Sequence, residues 1–450
     1  MSLTAEEIRE CTMIALDQPP FWPKEKDDVF KFTIYVDGST YKRLDFTLNS
    51  NIMNGFYGVI DWGDNNTEQY EEESPYVGYQ MNHLYSNTGT YQIQIKGTFS
   101  SSYRQGGAFG TYSRESLISV DTPFPKGMAE MTSFNSFFLN CRNLIDLPNN
   151  LFKNCNKAQN LMDCFNGCSS LTSIPEGLFD GCVNAGYFTG CFSDCSSLLS
   201  IPEGLFDKNI KIIDLTSCFS GCSSLTSIPD GLFNNNTDLV HVTQCFYGCR
   251  SLNRIPNGLF DNNIKITGFS QCFYNCRSLA SIPDELFRNN IQVLTFASCF
   301  YNCRIETIPE GLFDNNVNVI DFSTCFRGCS SLTSIPEGLF DSCVNATNFS
   351  NCFSGCSSLT SIPEGLFDNN VNATNFSNCF ATCSFLDFIP EDLFSNNINI
   401  TNLSYTFSGC MFFTGTVPEL WITHSSATHI GCFAGCTQAA NYADIPSDWK

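Results

Sequence analysis

Histidine and positive charge are what this sequence has least of. It holds four histidines, His83, His241, His424 and His429, and none recurs beside a singular nucleophile, so acid–base catalysis lacks its usual residue near neutral pH. Lys and Arg number 23 against 45 Asp and Glu, for a net charge of -22. A surface of that sign repels nucleic acid and anionic membrane, both of which need a positive field at the protein surface. No run of 18 apolar residues exists, which leaves no segment suited to crossing a bilayer as a helix. Met1 to Gln18 carries Glu6, Glu7, Glu10 and Asp17, not the basic start and apolar core of a secretory leader.

What the chain has in excess is Phe, 42 residues, and Cys, 26. Most cysteines come as Cys-Phe-x-x-Cys, for example Cys191 and Cys195. On a helical turn that spacing sets the two Cβ atoms roughly 5 to 6 Å apart, whereas a disulfide needs about 3.8 Å. Reduced, buried thiols acting as small hydrophobes are therefore expected. Zinc is the sharper alternative, weakened because structural sites usually use Cys-x2-Cys knuckles.

The pairs belong to a repeat. Aligned on the phenylalanine after the first cysteine, the sequence gives Phe138, Phe165, Phe192, Phe219, Phe246, Phe273, Phe300, Phe326, Phe353, Phe380, Phe407 and Phe433, in steps of 27 residues with two of 26. A fixed period of this length means stacked coils, each burying its apolar side against its neighbours. Within one unit Phe188, Cys191, Phe192 and Cys195 have the spacing of an inward-facing helical turn. Leu198-Leu199-Ser200-Ile201 follows as a short strand that stacks into a parallel sheet, and Pro202 ends it by lacking an N–H. Strands about 4.8 Å apart against helical turns 8 to 10 Å apart would force the array to bend.

Three residues after the second phenylalanine stands Asn209, Asn236, Asn263, Asn290, Asn316, Asn370 or Asn397, with Cys155, Cys182 and Cys343 in the other coils. An asparagine ladder satisfying the backbone of neighbouring turns is expected. The Asn-or-Cys exchange, the phenylalanines and Ser-Ser-Leu-Thr-Ser-Ile-Pro together resemble the BspA-like, Cys- and Phe-containing leucine-rich repeats of bacterial surface proteins, from about Leu117 to Lys450. The Pro-Glu-Gly-Leu-Phe insertion departs from the family's shorter forms.

Upstream, Phe30 to about Phe99 alternates like β-strands. Ile60-Asp61-Trp62-Gly63-Asp64-Asn65-Asn66, then His83-Leu84-Tyr85, then Gly89 to Ile95 resembles the signature of the polycystic kidney disease (PKD) domain, an immunoglobulin-like β-sandwich. Asn65 replaces the family's usual Gly, so a left-handed conformation is expected there. Asp61 and Asp64 read as turn formers rather than calcium ligands, since calcium takes six to eight oxygens. The expected fold class is α+β: a curved leucine-rich-repeat solenoid of about 12 coils of 27 residues behind a small PKD-like sandwich. The expected divisions are an arm or linker over 1–28, the sandwich over 29–100, a junction over 101–116 and the solenoid with divergent caps over 117–450.

Catalysis finds little support. His424 and His429 near Cys432 and Cys436 form the nearest thing to a thiol or metal site, and packing roles are favoured there; no metal or cofactor is expected. Acidic columns after Pro and Phe, such as Glu337 with Glu364 and Asp341 with Asp368, read as a solvated face. The departure is basic: three consecutive coils place Arg250, Arg277 and Arg304 where most have Ser, with Arg254, Arg288 and Arg327 nearby. A basic stripe on an acidic array would collect an anionic glycan or an acidic protein patch, and its alternative is local neutralisation of neighbouring carboxylates. Sequons at Asn345, Asn348, Asn372, Asn375 and Asn402 follow the repeat and read as its by-product. The family resemblance implies a cell-surface or secreted adhesion protein, non-enzymatic and monomeric, with a protein or glycan partner on a host or microbial surface and no direct membrane insertion. The alternative is a stalk or phage-tail-like spacer.

Overall fold

The computed structural model describes residues 29–37, 43–48, 56–70, 79–99, 109 and 113–450. The expected N-terminal arm, its helix from Thr4 to Leu16 and Cys11 lie outside the described residues, as does most of the junction.

Seven strands form two antiparallel sheets: β1 (Phe30–Val36), β2 (Arg43–Leu48), β3 (Phe56–Asp61), β4 (Thr67–Tyr70), β5 (Tyr79–Leu84), β6 (Gly89–Phe99) and β7 (Leu117–Val120). The larger sheet runs β4-β3-β6-β1-β7 and the smaller pairs β2 with β5. Alternation drives β1, where Phe30, Phe32 and Ile34 are fully buried and Lys31 and Thr33 are not, because successive side chains point to opposite faces. The β3–β4 turn is closed by Asp61 and Asp64, whose Oδ1 atoms accept from the Gly63 and Asn66 N–H groups at 2.9 and 3.2 Å. Asn65 has φ 70°. Behind the turn, His83 Nε2 meets Asp64 Oδ2 at 2.7 Å, and its ring stacks on Trp62 at 5.0 Å.

β7 belongs to two structures at once. It pairs antiparallel with β1, and its Ser119 also bridges in parallel to Asp146, the same position one coil on. The sheet of the N-terminal module therefore continues into the solenoid without a backbone break. Asp121 knits the corner, accepting from Ser119 Oγ, Thr33 Oγ1 and Gln92 Nε2 at 2.6 to 2.9 Å.

Two lines of parallel contact run along the coils, the first of them interrupted. One lies at the serine before Ile-Pro, as in Ser173 with Ser200 and Ser227 with Arg254. The other is an unbroken file of bridges from Ser133 through Tyr187, Gly268 and Asn348 to Thr428. These single-residue contacts replace the longer strands expected at Leu198 to Ile201.

The expected helical turn at Cys-Phe-x-x-Cys is not a helix. Asp163 and Gly167 take φ 52° and 75°, and the equivalent residues of most other coils do the same. A left-handed residue at every fourth position of the turn, here Asp163 and Gly167, leaves every second N–H directed along the array. Leu161, Asp163, Phe165 and Gly167 donate to Tyr187, Thr189, Cys191 and Ser193 of the next coil at 2.7 to 2.9 Å. Cys164, Asn166 and Cys168 donate back within the turn at 3.1 to 3.2 Å. The turn thus supplies cross-coil hydrogen bonds that a helix would keep to itself.

This removes the reason for strong curvature. Phe165, Phe192, Phe219 and Phe246 stack at 5.3 to 5.7 Å with planes within 6°. On the proline side Phe313, Phe340 and Phe367 stack at 6.0 to 6.1 Å. Neither side has the 8 to 10 Å spacing of packed helices. At the far end a single helical turn, Leu420–Thr423, and Trp449 close the stack. Trp449 O accepts from the Phe433 N–H at 2.9 Å, and its ring stacks on His429 at 4.2 Å.

Candidate binding surfaces on the solenoid

Two sets of side chains hold successive coils in register. Asn209 Nδ2 donates to Phe179 O and Cys182 O of the preceding coil at 3.1 and 2.9 Å. Asn236, Asn263, Asn290, Asn316, Asn370 and Asn397 repeat the pattern. Cys343, at the same position, directs its Sγ toward Phe313 O and Asn316 O at 3.9 and 3.7 Å. The second cysteine of each pair does related work: Cys195 and Cys222 donate S–H to Phe165 O and Phe192 O at 3.2 Å. All 25 cysteines among the described residues are buried and unpaired by disulfides. Burial pushes most of these thiols up, with Cys343 and Cys383 at about 12, because a thiolate loses its hydration there, whereas the bond with Cys410 holds Cys436 down. These are core groups, not nucleophiles.

The same packing sets the arginine stripe. Cys249, Cys276 and Cys303 each bond to a phenylalanine carbonyl of the preceding coil, and the next residues, Arg250, Arg277 and Arg304, turn outward and are exposed. The Ser278 N–H donates to Arg250 O at 3.1 Å, which ties their backbones across the step. Arg304 stands 4.0 Å from Glu306. Among the described residues Arg250 and Arg277 have no carboxylate within ion-pair distance. Arg254 differs, pairing with Asp230 at 2.9 Å with both side chains mostly in water, and Arg288 pairs with Glu285 within its own turn.

A second column accompanies the stripe and was not singled out from the sequence. Tyr247 stacks on Tyr274 at 4.6 Å and Tyr274 on Tyr301 at 4.3 Å, both with planes 7° apart. Arg327 extends the file, its guanidinium 5.8 Å from the Tyr301 ring centre and its Nη1 3.1 Å from Asn351 Oδ1. Partial burial and the neighbouring Tyr301 and Tyr247 push the Tyr274 hydroxyl up, which keeps it a hydrogen-bond donor. The signal was present in the repeat: these tyrosines directly follow Phe246, Phe273 and Phe300, where other coils have Ser, Ala, Asn166, Leu139 or Arg327. Of the six Lys and Arg side chains in residues 241–304, four lie within 4.0 Å of a carboxylate, so the uncompensated charge of the stripe is that of Arg250 and Arg277.

The other candidates read from the sequence are engaged in packing and local bonds. His424 is largely buried and bonded to Thr423 at 2.9 Å, and burial pushes its imidazole down. His429 bridges Ala427 O and Asp448. Neither converges with Cys432 and Cys436, and among the described residues no three His, Cys, Asp or Glu side chains converge as metal ligands. The sequon nitrogens of Asn345, Asn348 and Asn372 donate to Val317 O, Asp321 Oδ1 and Val344 O.

Comparison with known proteins adds little to this geometry. No family model matches the chain, and no curated protein does. Among solved structures, a leucine rich cell surface protein from Faecalibacterium prausnitzii A2-165 is 20% identical over 66% of this chain and 83% of its own, with a TM-score of 0.29. A TLR13–ssRNA13 complex is 12% identical over 74% of this chain, with a TM-score of 0.28, and the chain spans 60% of that structure's length. Superpositions this partial settle neither fold nor function, so the solenoid stands on its own bridges, ladders and stacked rings.

Proposed function

We propose that this chain is a non-enzymatic recognition protein of a cell surface or its surroundings, a BspA-like leucine-rich-repeat array joined to a PKD-like module. Its site is the surface formed by Arg250, Arg277 and Arg304 with Tyr247, Tyr274 and Tyr301, and its partner is an anionic glycan. The carrying observation is that Arg250 and Arg277 stand exposed in adjacent coils without carboxylate partners, on a chain of net charge -22. Had the arginines served only to neutralise neighbouring acids, they would pair as Arg254 does with Asp230. A partner with repeating anionic groups would meet one guanidinium per coil, each able to form charge-assisted hydrogen bonds, with tyrosine hydroxyls alongside as neutral donors. The spacer reading has one observation in its favour, the continuity of β7 with the first coil.

The test is binding of the purified chain to an array of sulfated, sialylated and neutral glycans, beside a variant with Arg250→Glu, Arg277→Glu and Arg304→Glu. Salt-sensitive binding that weakens at least about 100-fold in the variant is expected, since reversal replaces attraction with repulsion. Absence of binding by either protein would leave the spacer, and binding untouched by the reversal would place the site on another face.

A further inference from the structure

The flank of the second bridge file carries a groove that neither the stripe nor the ladder uses. Leu294, Asn318 and Ile320, Asn345 and Thr347, Asn372 and Thr374, and Asn399 line it in successive coils, and it is an open trough of about 700 Å3. The hydrogen bonds of this lining run inward. Asn345 Nδ2 donates to Val317 O at 3.0 Å and Asn372 Nδ2 to Val344 O at 3.1 Å, with Asn318 doing the same toward Ile291 O. Thr347 Oγ1 donates to Ile320 O at 3.1 Å and Thr374 Oγ1 to Thr347 O at 3.3 Å. A backbone carbonyl only accepts, so each threonine has spent its proton and each asparagine one of its two. What faces an incoming ligand is therefore an excess of acceptors: threonine oxygens and asparagine carboxamide oxygens. No Lys, Arg or His is among the lining residues. Leu294 and Ile320, the apolar side chains of the lining, are 47% and 48% exposed.

We propose that this groove binds a linear cation with an aliphatic stem, of the oligoamine class. An ammonium group donates three hydrogen bonds and accepts none, which complements the lining. The methylene stem lies along Leu294 and Ile320 while the charged ends stay in contact with oxygen. The acidic field of the chain raises the local concentration of such a ligand. Anions are disfavoured here by the same accounting, so this site and the arginine stripe select opposite charges.

Spermine is the probe, titrated calorimetrically into the full chain at about physiological salt, where exposed long-range attraction is screened within about 8 Å. One variant carries Asn345→Leu, Thr347→Val, Asn372→Leu and Thr374→Val, which keeps the net charge unchanged. A second carries Thr347→Ser and Thr374→Ser, which keeps the hydroxyls and checks that the scaffold tolerates substitution. A saturable site is expected, at least about tenfold weaker in the first variant and retained in the second. It should also persist in the Arg250, Arg277 and Arg304 reversal, so it survives or fails independently of the glycan reading. Equal binding by the native chain and the first variant, which share one net charge, would mean that spermine responds only to the overall field, and would overturn the proposal. So would the absence of a saturable site, or binding of neutral cellohexaose in place of spermine.

Discussion

Between about pH 8 and 10 the solenoid should lose its structure in one steep transition, reversible on return to neutral pH in the presence of reductant. The thiols stay protonated in the folded coils because burial raises their pKa. In the unfolded chain they ionise freely around pH 8.5. Above that pH the unfolded state has shed protons that the native state still holds, so stability falls as pH rises. Each such thiol contributes about 1.4 kcal/mol of lost stability per pH unit in the window between its unfolded and folded pKa values. With on the order of twenty of the 25 described cysteines behaving this way, the loss is roughly 25 kcal/mol per unit, against about 5 to 15 kcal/mol of total stability for an ordinary domain. No plausible packing energy withstands a slope of that size. The measurement is circular dichroism against pH, beside thiolate absorbance on the same samples. Coincident transitions support the argument, whereas gradual thiolate formation with an unchanged backbone signal would show that the thiols titrate inside the fold. Iodoacetamide at pH 7 should likewise label the solenoid only after denaturant is added.

The features legible in the sequence are those set by side-chain period. Spacing from Phe138 to Phe433 marked the stacking files, because each ring must meet its copy one coil away. Asn209 and its equivalents were legible as a ladder, since a buried polar residue at a fixed position in a repeat needs a repeated partner. The Cys-Phe-x-x-Cys turn was read as helical because i, i+3, i+4 and i+7 spacing was the only cue. The residues before each cysteine, among them Asp163, Ser217, Gln244 and Thr324, adopt positive φ without being glycine, and no composition rule foretells that. Cross-coil hydrogen bonding selects that backbone, a tertiary effect invisible to a local window. The tyrosine column was missed for a different reason. Charge at Arg250, Arg277 and Arg304 stands out in an acidic chain, while three tyrosines at one repeat position mark a column whose stacking is set by the spacing of the coils.

Replacing Asn290 separates the ladder's chemistry from its bulk. In the native coil its Nδ2 reaches Phe260 O and Asn263 O at 3.2 and 3.0 Å, while its Oδ1 is buried with no partner among the described residues. Only the donor half of the carboxamide is used by the protein, which explains why Cys, a weak donor, replaces Asn at Cys155, Cys182 and Cys343. Asn290→Ala removes both bonds and leaves Phe260 O and Asn263 O with only their backbone donors, the Asn263 and Ile266 N–H groups, for a cost of about 2 kcal/mol. Asn290→Cys restores a donor and should cost about 1 kcal/mol. Asn290→Asp keeps the shape but turns an acceptor toward two carbonyls, so it should be the most damaging near neutral pH and should recover as acid supplies the missing proton. Denaturant melts of the three variants at pH 7, with the aspartate also at pH 5, test the ordering. An alanine variant as stable as the cysteine one would mean that the ladder fills space rather than bonds. An aspartate variant indifferent to pH would mean that water, not the neighbouring coil, satisfies this position.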